Sequence, residues 1–496
     1  MAVACNMLMK TDDELNREIL ETKIKIQENY PELSKFADEM TITIPDKETP
    51  EINTKSLIDY NDSLQSMAAG YANNTKKNIV IIGAGFAGLK LARTLNNHPN
   101  YTITLVDKNN YHQFQPLFYQ VAMANLDASN ISFPLRDIFQ KSKNVTIRVA
   151  SVTNLNIEKN NIETSNGIFH YDYLVIATGA KTNYFGNEAI EKYAFPMKST
   201  FEALQIRNTL LQHFEDALTA NTTNSKKLLS VVIVGGGPTG VELSGALAEM
   251  KTDTLPLEYP ELNFSEMKIY LLEGTSKLLS AMSERSSNKA NEYLQKLGVT
   301  VMLNTFVKEY NGKQVTLQDS TILESTFVIW TAGVKGNIPQ GIKPDFISKS
   351  NQIITDSYHR VIATENVFAL GDVALIQSEL HPKGFPQLAS VAIDQSKNLA
   401  NNFLRLVKNK PLLPFQYVNK GSMATVGRNK AVVDLEKPKV SFGGFFAWLV
   451  WMTLHLFLLI SFKNRLIVFI NWFYKYFTHR QSLSLLFPQI SPKNKL

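Results

Sequence analysis

The chain has 496 residues, 44% apolar and 19% charged, enough to bury roughly three domain cores. Its single cysteine, Cys5, excludes an internal disulfide, a cysteine-built metal site and a redox-active Cys-x-x-Cys pair, and fits a reducing compartment. The net charge of +6 is uneven: 1–76 carries 8 Lys/Arg against 14 Asp/Glu, whereas 396–496 carries 15 against 2, so the basic end predicts an anionic partner, nucleic acid or a membrane surface.

The first residues lack a charged start followed by a long apolar run, so no signal peptide is expected. Thr11 and Glu14 have capping-box spacing, and Leu15, Ile19, Ile24 and Ile26 make a rough helical stripe. Pro31 ends or restarts that helix, and a second helical stretch runs from Pro31 to Met40. Thr41 to Asn74 is rich in turn formers and charge. Residues 1–76 are therefore expected to be a helical pair plus a linker.

From Asn78 the pattern becomes strand, glycine turn, helix, strand. Gly83, Gly85 and Gly88 follow the apolar run Ile79–Ile82, and Leu89 to Leu95 reads as a helix. In such a turn the glycines allow a sharp bend, close approach of a pyrophosphate and tight helix-on-strand packing. The helix N-terminus adds free N–H groups and a positive dipole end. Alone the pattern is weak, but Asp107 ends the next strand, where a carboxylate can accept from a ribose hydroxyl. The aromatic and amide-rich stretch Tyr111 to Ala122 is hard to explain as an ordinary loop. Short strands follow at Val145–Val149 and Ile168–Tyr171. Tyr173 to Gly179 is a buried strand with the small-residue end Ala177-Thr178-Gly179.

The chain then repeats itself. Gly235, Gly237 and Gly240 match the first triplet at an offset of 152 residues. The strand that follows ends in Glu273, and Phe327 to Gly333 mirrors the earlier small-residue end. A duplicated scaffold without ligands would keep the fold, but both triplets and both acids are present. Two such sites suit two different dinucleotides, and an acid at 273 favours NADH over NADPH by repelling a 2′-phosphate. A third strand, Asn366 to Leu370, ends at Gly371-Asp372. It returns the chain to the first domain and places an aspartate suited to a flavin ribityl hydroxyl; an ordinary turn aspartate is the alternative.

These motifs together resemble the flavoprotein reductases with two dinucleotide-binding domains. Within that group the chain is similar to the type II NADH:quinone oxidoreductases, through Phe114 to Ala122, Thr182 to Gly186, Ala194 to Ser199, Gly236 to Leu243, Ala447 to Trp451 and Phe462 to Leu466. The resemblance spans about 77–485. It implies an α/β fold of two Rossmann-like dinucleotide-binding domains plus a C-terminal membrane-anchoring helical region. The expected organisation is an appendage over 1–76, an FAD-binding domain at 77–199 and 336–400, an NADH-binding domain at 200–335, and a C-terminal region at 401–496.

The resemblance implies FAD at Gly83, Ala84, Gly85, Phe86, Ala87, Gly88, Asp107, Lys108, Val152, Thr178, Gly179, Gly371, Asp372 and Ala389. It implies NADH at Gly235, Gly237, Pro238, Thr239, Gly240, Glu273, Ala332 and Gly333. Hydride would pass from nicotinamide to flavin and two electrons onward to a quinone. The cofactor carries that chemistry, so no protein nucleophile is needed. Disulfide and sulfide:quinone reductases of this fold need cysteines near the flavin, and none is available. Glu242, in the first turn of the second glycine helix, is matched to a glutamate near the nicotinamide and quinone; the simpler reading is an acid favoured by the helix dipole. The family's quinone pattern Ala-Gln-x-Ala-x-Gln is altered here to Ala389-Ser390-Val-Ala-Ile-Asp394, followed by Gln395. Gln387, at helical spacing from Ser390 and Asp394, is expected to stand in for a missing amide; an altered pocket or a different acceptor is the alternative.

Phe442 to Phe462 is nearly all apolar, with Lys437 and Lys439 before it and Lys463 and Arg465 after it. Its length could span a bilayer, but charge on both sides gives no orientation. Trp448, Trp451, Trp472, Tyr474 and Tyr476 suit an interface. A monotopic anchor over about 442–478, lying on the cytoplasmic face of the cell membrane, is therefore expected. Basic and strongly apolar together mean an anionic membrane surface, not nucleic acid. His455 is expected as a polar tip there, and no metal site is expected. The resemblance also allows a homodimer. Two alternatives stay open: a reductase of a small redox protein such as a ferredoxin, and an inactive flavin-binding membrane sensor.

Overall fold

The computed structural model describes residues 11–29, 31–40, 54–74, 76–377, 381–478 and 484–486. Cys5, the first part of the expected linker (41–53) and most of the tail after 478 lie outside the described residues. The chain forms two units, Met1–Lys77 with His98–Thr102, and Asn78–Asn97 with Ile103–Leu496.

Among the described residues the first unit holds three helices, Asp12–Asn29, Pro31–Glu39 and Thr54–Asn74. The capping box forms: Thr11 N–H donates to Glu14 Oε2 at 2.9 Å and Glu14 N–H to Thr11 Oγ1 at 3.4 Å. Leu15, Ile19 and Ile26 share a core with Leu57, Tyr60 and Leu64 of the third helix. That third helix corrects the expected linker, and Ile24, expected on the buried stripe, is exposed.

In the second unit the repeat is explicit. One five-stranded sheet has the order Val367–Ala369, Tyr173–Ile176, Lys77–Ile82, Tyr101–Asp107, Val145–Val149. The other has the order Phe195–Pro196, Phe327–Trp330, Ser230–Val234, Lys268–Leu272, Thr300–Met302. The glycine-turn strand lies at the centre of each, and Ser230–Val234 is buried at every residue. A three-stranded antiparallel sheet follows the outer strand in both repeats, at 152–170 and 307–324. The two small-residue ends lead into one antiparallel ribbon, in which Ala180–Thr182 pairs with Val334–Gly336.

The C-terminal part is a three-stranded antiparallel sheet, Ser422–Thr425, Ala431–Leu435 and Val440–Gly443, followed by helices Phe445–Leu458 and Phe462–Thr478. The expected single apolar run is thus a strand end and two helices. Gly444, at φ +92°, begins the first helix. Among the described residues no helix is long and apolar enough to cross a membrane.

The third glycine of each turn has no spare room. A Cβ on Gly88 would sit 1.9 Å from Gly83 O, and one on Gly240 would sit 1.9 Å from Gly235 O. Gly88→Ala and Gly240→Ala are therefore expected each to cost at least about 1–3 kcal/mol, as overpacked sites do. A lowered Tm of the holoenzyme checks this, and an unchanged Tm would show that the turn can widen.

Candidate active site

Each turn is held by the acid at the end of the next strand. Ala84 N–H donates to Asp107 Oδ2 at 2.7 Å, and Asn109 N–H to Oδ1 at 2.7 Å. In the second repeat Gly236 N–H donates to Glu273 Oε2 at 2.6 Å, and Thr275 N–H to Oε1 at 2.7 Å. Burial raises the Asp107 carboxyl, while the N–H groups of Ala84 and Asn109 oppose the shift. Each carboxylate oxygen keeps acceptor capacity beyond these bonds, as a ribose hydroxyl would require.

Helices Phe86–Thr94 and Pro238–Glu249 both start without a side-chain cap, at Gly85 and Gly237. A Cβ at either glycine would meet nothing within 4 Å. Two uncapped N-termini beside open space fit two pyrophosphates. Phe86, Ala87 and Gly88 form the first turn of the first helix. Pro238 and Thr239 are exposed in the first turn of the second.

Thr178 Oγ1 donates to Asn337 O at 2.6 Å, and Gly179, Ala332 and Gly333 flank the ribbon joining the repeats. Val152 opens the first antiparallel sheet, and Lys108 is exposed beside Asp107. Gly371-Asp372 begins where Val367–Ala369 ends, next to helix Ala389–Val407. Burial raises the Asp372 carboxyl, and the Lys198 charge opposes this.

The residues expected at the quinone site have partners within the chain. Gln387 lies ahead of the helix, which begins at Ala389, so the shared helical face does not form. Gln387 Nε2 donates to Asp372 O at 2.7 Å, and the buried Gln395 Oε1 accepts from Gly371 N–H at 2.7 Å. The two carboxamides shape the Gly371-Asp372 turn. Asp394 pairs with Lys397 at 3.0 Å and Lys420 at 2.6 Å, and Ser390 Oγ lies 3.4 Å from Tyr417 OH.

Glu242 is buried, and its Oε1 accepts from Thr425 N–H at 3.4 Å. Burial pushes its carboxyl up to about 8, while the Thr425 N–H favours the charged form. A cleft beside it is lined by Gln115, Phe118, Tyr119, Lys198 and Thr239. The aromatic stretch singled out in the sequence supplies its wall. Helix Phe118–Ala122 is wholly buried and packs on both Thr200–Thr219 and Pro238–Glu249. Burial first, and the Glu242 charge next, hold the Tyr119 hydroxyl well above 10.

His112 escaped the sequence reading: it is buried, with Nδ1 donating to Ala84 O at 2.8 Å, and burial lowers it to about 4. His455 is not a surface tip. It is buried, its Nδ1 donates to Trp451 O at 2.8 Å, and it stacks on Trp451 at 3.9 Å. Trp451 and Trp472, expected at an interface, are also buried. Among the described residues no group of three His, Cys, Asp or Glu side chains could hold a metal ion.

Residues 77–396 match the family described as pyridine nucleotide-disulphide oxidoreductase, and 419–481 match the NDH2 C-terminal domain. A Mycobacterium tuberculosis protein named Type II NADH:quinone oxidoreductase Ndh is 33% identical over 441 residues, covering 84% of this chain and 92% of that protein. The chain belongs to the type II NADH:quinone oxidoreductases. A probable NADH dehydrogenase of Dictyostelium discoideum is 30% identical, covering 79% of this chain and 88% of that protein. The fold matches a solved structure of NDH2 from Plasmodium falciparum in complex with NADH, with TM-score 0.75 and 23% identity, over 81% of this chain and 99% of that one.

In this type II enzyme the folded Glu242 binds its proton more tightly than the unfolded chain does. Its contribution to stability is full below about pH 4.5 and is lost as pH rises through about 8. Glu242→Gln is thus expected to slow turnover with flavin retained, and to gain Tm over the wild type increasingly from pH 5 to pH 8. Equal turnover would make Glu242 an ordinary buried acid, and a pH-independent Tm difference would show that its carboxyl is not raised in the folded chain.

Proposed function

We propose that this chain oxidises NADH and passes the electrons through FAD to a membrane quinone, with the first repeat holding FAD and the second NADH. The observation that carries this reading is the pair of acid-clamped glycine turns, the second of which lines the Glu242 cleft through Thr239. FAD and NADH, held at the two glycine turns, would supply the redox chemistry of hydride transfer and two-electron reduction of the quinone.

The protein's part is to bind, orient and move protons. Gly85 and Gly237 leave the backbone open to the two pyrophosphates. Asp107 and Glu273 stand by the two riboses, and Glu273 disfavours a 2′-phosphate. Asp372 and the N-terminus of helix Ala389–Val407 face the flavin side. Glu242, with a carboxyl near 8, exchanges a proton close to neutral pH, as a relay at the nicotinamide requires.

Attachment to the membrane runs through helices Phe445–Leu458 and Phe462–Thr478. Phe446, Phe457, Phe473 and Phe477 are 65%, 66%, 58% and 64% exposed, an apolar face too large for an ordinary soluble surface. Lys463 and Arg465 lie at the start of the second helix, ready for anionic headgroups. The pair lies in one leaflet, on the cytoplasmic side.

NADH oxidation with a short-chain quinone and anionic vesicles tests the whole reading. Quinone-dependent oxidation by vesicle-bound protein is the expected result. Oxidation only with a small iron–sulfur protein would make the chain a soluble-carrier reductase, and none at all an inactive flavin-binding protein. Phe446→Ser with Phe457→Ser and Phe473→Ser is expected to release the protein from sedimented vesicles; retention would place the contact elsewhere. Glu273→Gln should narrow the preference for NADH over NADPH by about tenfold, the worth of one partly desolvated charge repulsion.

A further inference from the structure

Two exposed phenylalanines stand at the mouth of the second repeat. Phe185 is 68% exposed and Phe306 53%. Single exposed phenylalanines are ordinary on a protein surface. These two are built in, because each ring lies against a glycine at the end of a strand of the second sheet. A Cβ on Gly333, just after Phe327–Trp330, would come within 2.6 Å of Phe185 Cζ. One on Gly274, which follows Lys268–Leu272 and Glu273, would come within 2.7 Å of Phe306 Cε1. Those two strands flank the central glycine-turn strand on either side.

Phe185 is held there against backbone preference. Its φ is +53°, Gly186 follows at +80°, and Asn187 N–H closes the turn onto Tyr184 O at 3.0 Å. Tight turns with two left-handed central residues favour Asn-Gly, and a phenylalanine in the first place is strained. Neighbours hold the strain. Phe185 N–H donates to Asn183 Oδ1 at 2.9 Å, Asn183 N–H to Gly333 O at 3.3 Å, and Trp330 Nε1–H to Asn183 O at 3.0 Å. The segment with Phe306 is fixed as firmly: Thr305 N–H donates to Glu273 O at 2.9 Å, and Gln318 N–H to Phe306 O at 3.0 Å. Asn187 Nδ2–H donates to Lys308 O at 3.0 Å and ties the two loops together. Strain that the surroundings enforce beneath an exposed ring points to function.

We propose that Phe185 and Phe306 form a clamp for the adenine of the bound NADH. The proposal rests on the placement of NADH in the second repeat given above. Glu273 stands at the adenosine ribose and the helix start at Gly237 at the pyrophosphate. The adenine, carried on the far carbon of that ribose, therefore lies on the Gly274 side of the acid, away from the helix start. Phe306 is there, and the loop with Phe185 is bonded to its loop. A purine is flat and has two π-faces, so an aromatic ring against either face stacks favourably. A turn that fixes Phe185 in advance reduces the ordering cost of binding. The first repeat lacks the device: a Cβ on Gly179, the match of Gly333, would meet nothing within 4 Å, and Lys108 stands where the second repeat has Gly274.

The test uses the flavin-loaded full chain and ADP-ribose, the part of NADH that carries the adenine without the nicotinamide. Binding is measured by calorimetry, which needs no turnover. Phe306→Ala and Phe185→Asn are each expected to raise the Kd about tenfold, the loss of one base–aromatic stack. Phe185→Asn also supplies the residue that the turn favours, so its Tm is expected to match or exceed that of the wild type while binding weakens. In turnover, the advantage in kcat/KM of NADH over reduced nicotinamide mononucleotide, which lacks the adenosine, is expected to shrink about tenfold in either variant. Phe306→Tyr keeps the ring and is expected to keep both the Kd and the advantage. A Kd equal to the wild type's in both variants, or an unchanged ratio of kcat/KM, would overturn the clamp. A wild type that binds ADP-ribose, with these losses in the variants, but oxidises no NADH would sink the functional reading alone.

Discussion

A carboxylate at the end of one strand holds the backbone of the turn at the end of its neighbour, and the second unit is arranged around that contact twice. Asp107 reaches Ala84 N–H, and Glu273 reaches Gly236 N–H, with the second oxygen of each fixed by the N–H two residues further on. The acid is thereby immobilised at the mouth of the sheet, next to an uncapped helix start. The glycines inside the turn cannot relax the arrangement, because the atoms facing Gly83, Gly88, Gly235 and Gly240 are mainly backbone. Strand spacing, helix approach and the position of the negative charge follow from one local geometry. Repeating it fixes two sites of the same shape with acids of different reach.

This much was legible in the sequence because every part of it is short-range. The glycine triplets, the acids that close the second strands and the small-residue ends are patterns of six to eleven residues with known backbone requirements. The offset between the two copies made the duplication visible. The fate of Gln387 and Gln395 was not legible. Their partners, Asp372 O and Gly371 N–H, are backbone atoms, and a backbone partner leaves no mark on the sequence. The third N-terminal helix was hidden by its polar composition, although Leu57, Tyr60 and Leu64 carry a helical period.

The C-terminal helices failed differently. The first of them, Phe445–Leu458, is apolar on nearly every side and carries no amphipathic signal, so its sequence does not say which side chains turn inward. Trp451, Trp472 and His455 point in, and Phe446 and Phe457 point out, on a pattern only packing decides. Trp451 shows why that matters. It stacks on His455 and meets Tyr119, which lines the Glu242 cleft, edge-on at 6.3 Å. One helix thus presents an outward face to its surroundings and an inward face to Tyr119. The exposed aromatic face and a structural wall of the site belong to the same element.

The strand order also constrains how the chain is made. The sheet that contains the first glycine turn takes its edge from Val367–Ala369, which pairs with Tyr173–Ile176 about 190 residues upstream. The second sheet lies wholly between Phe195 and Met302 apart from Phe327–Trp330, so all its strands leave the ribosome earlier. Until residue 369 emerges, Tyr173–Ile176 is an apolar strand with an unpaired edge, open to pairing with another chain. The later repeat can close first, and the earlier one must wait, exposed, for a piece of sequence that follows it.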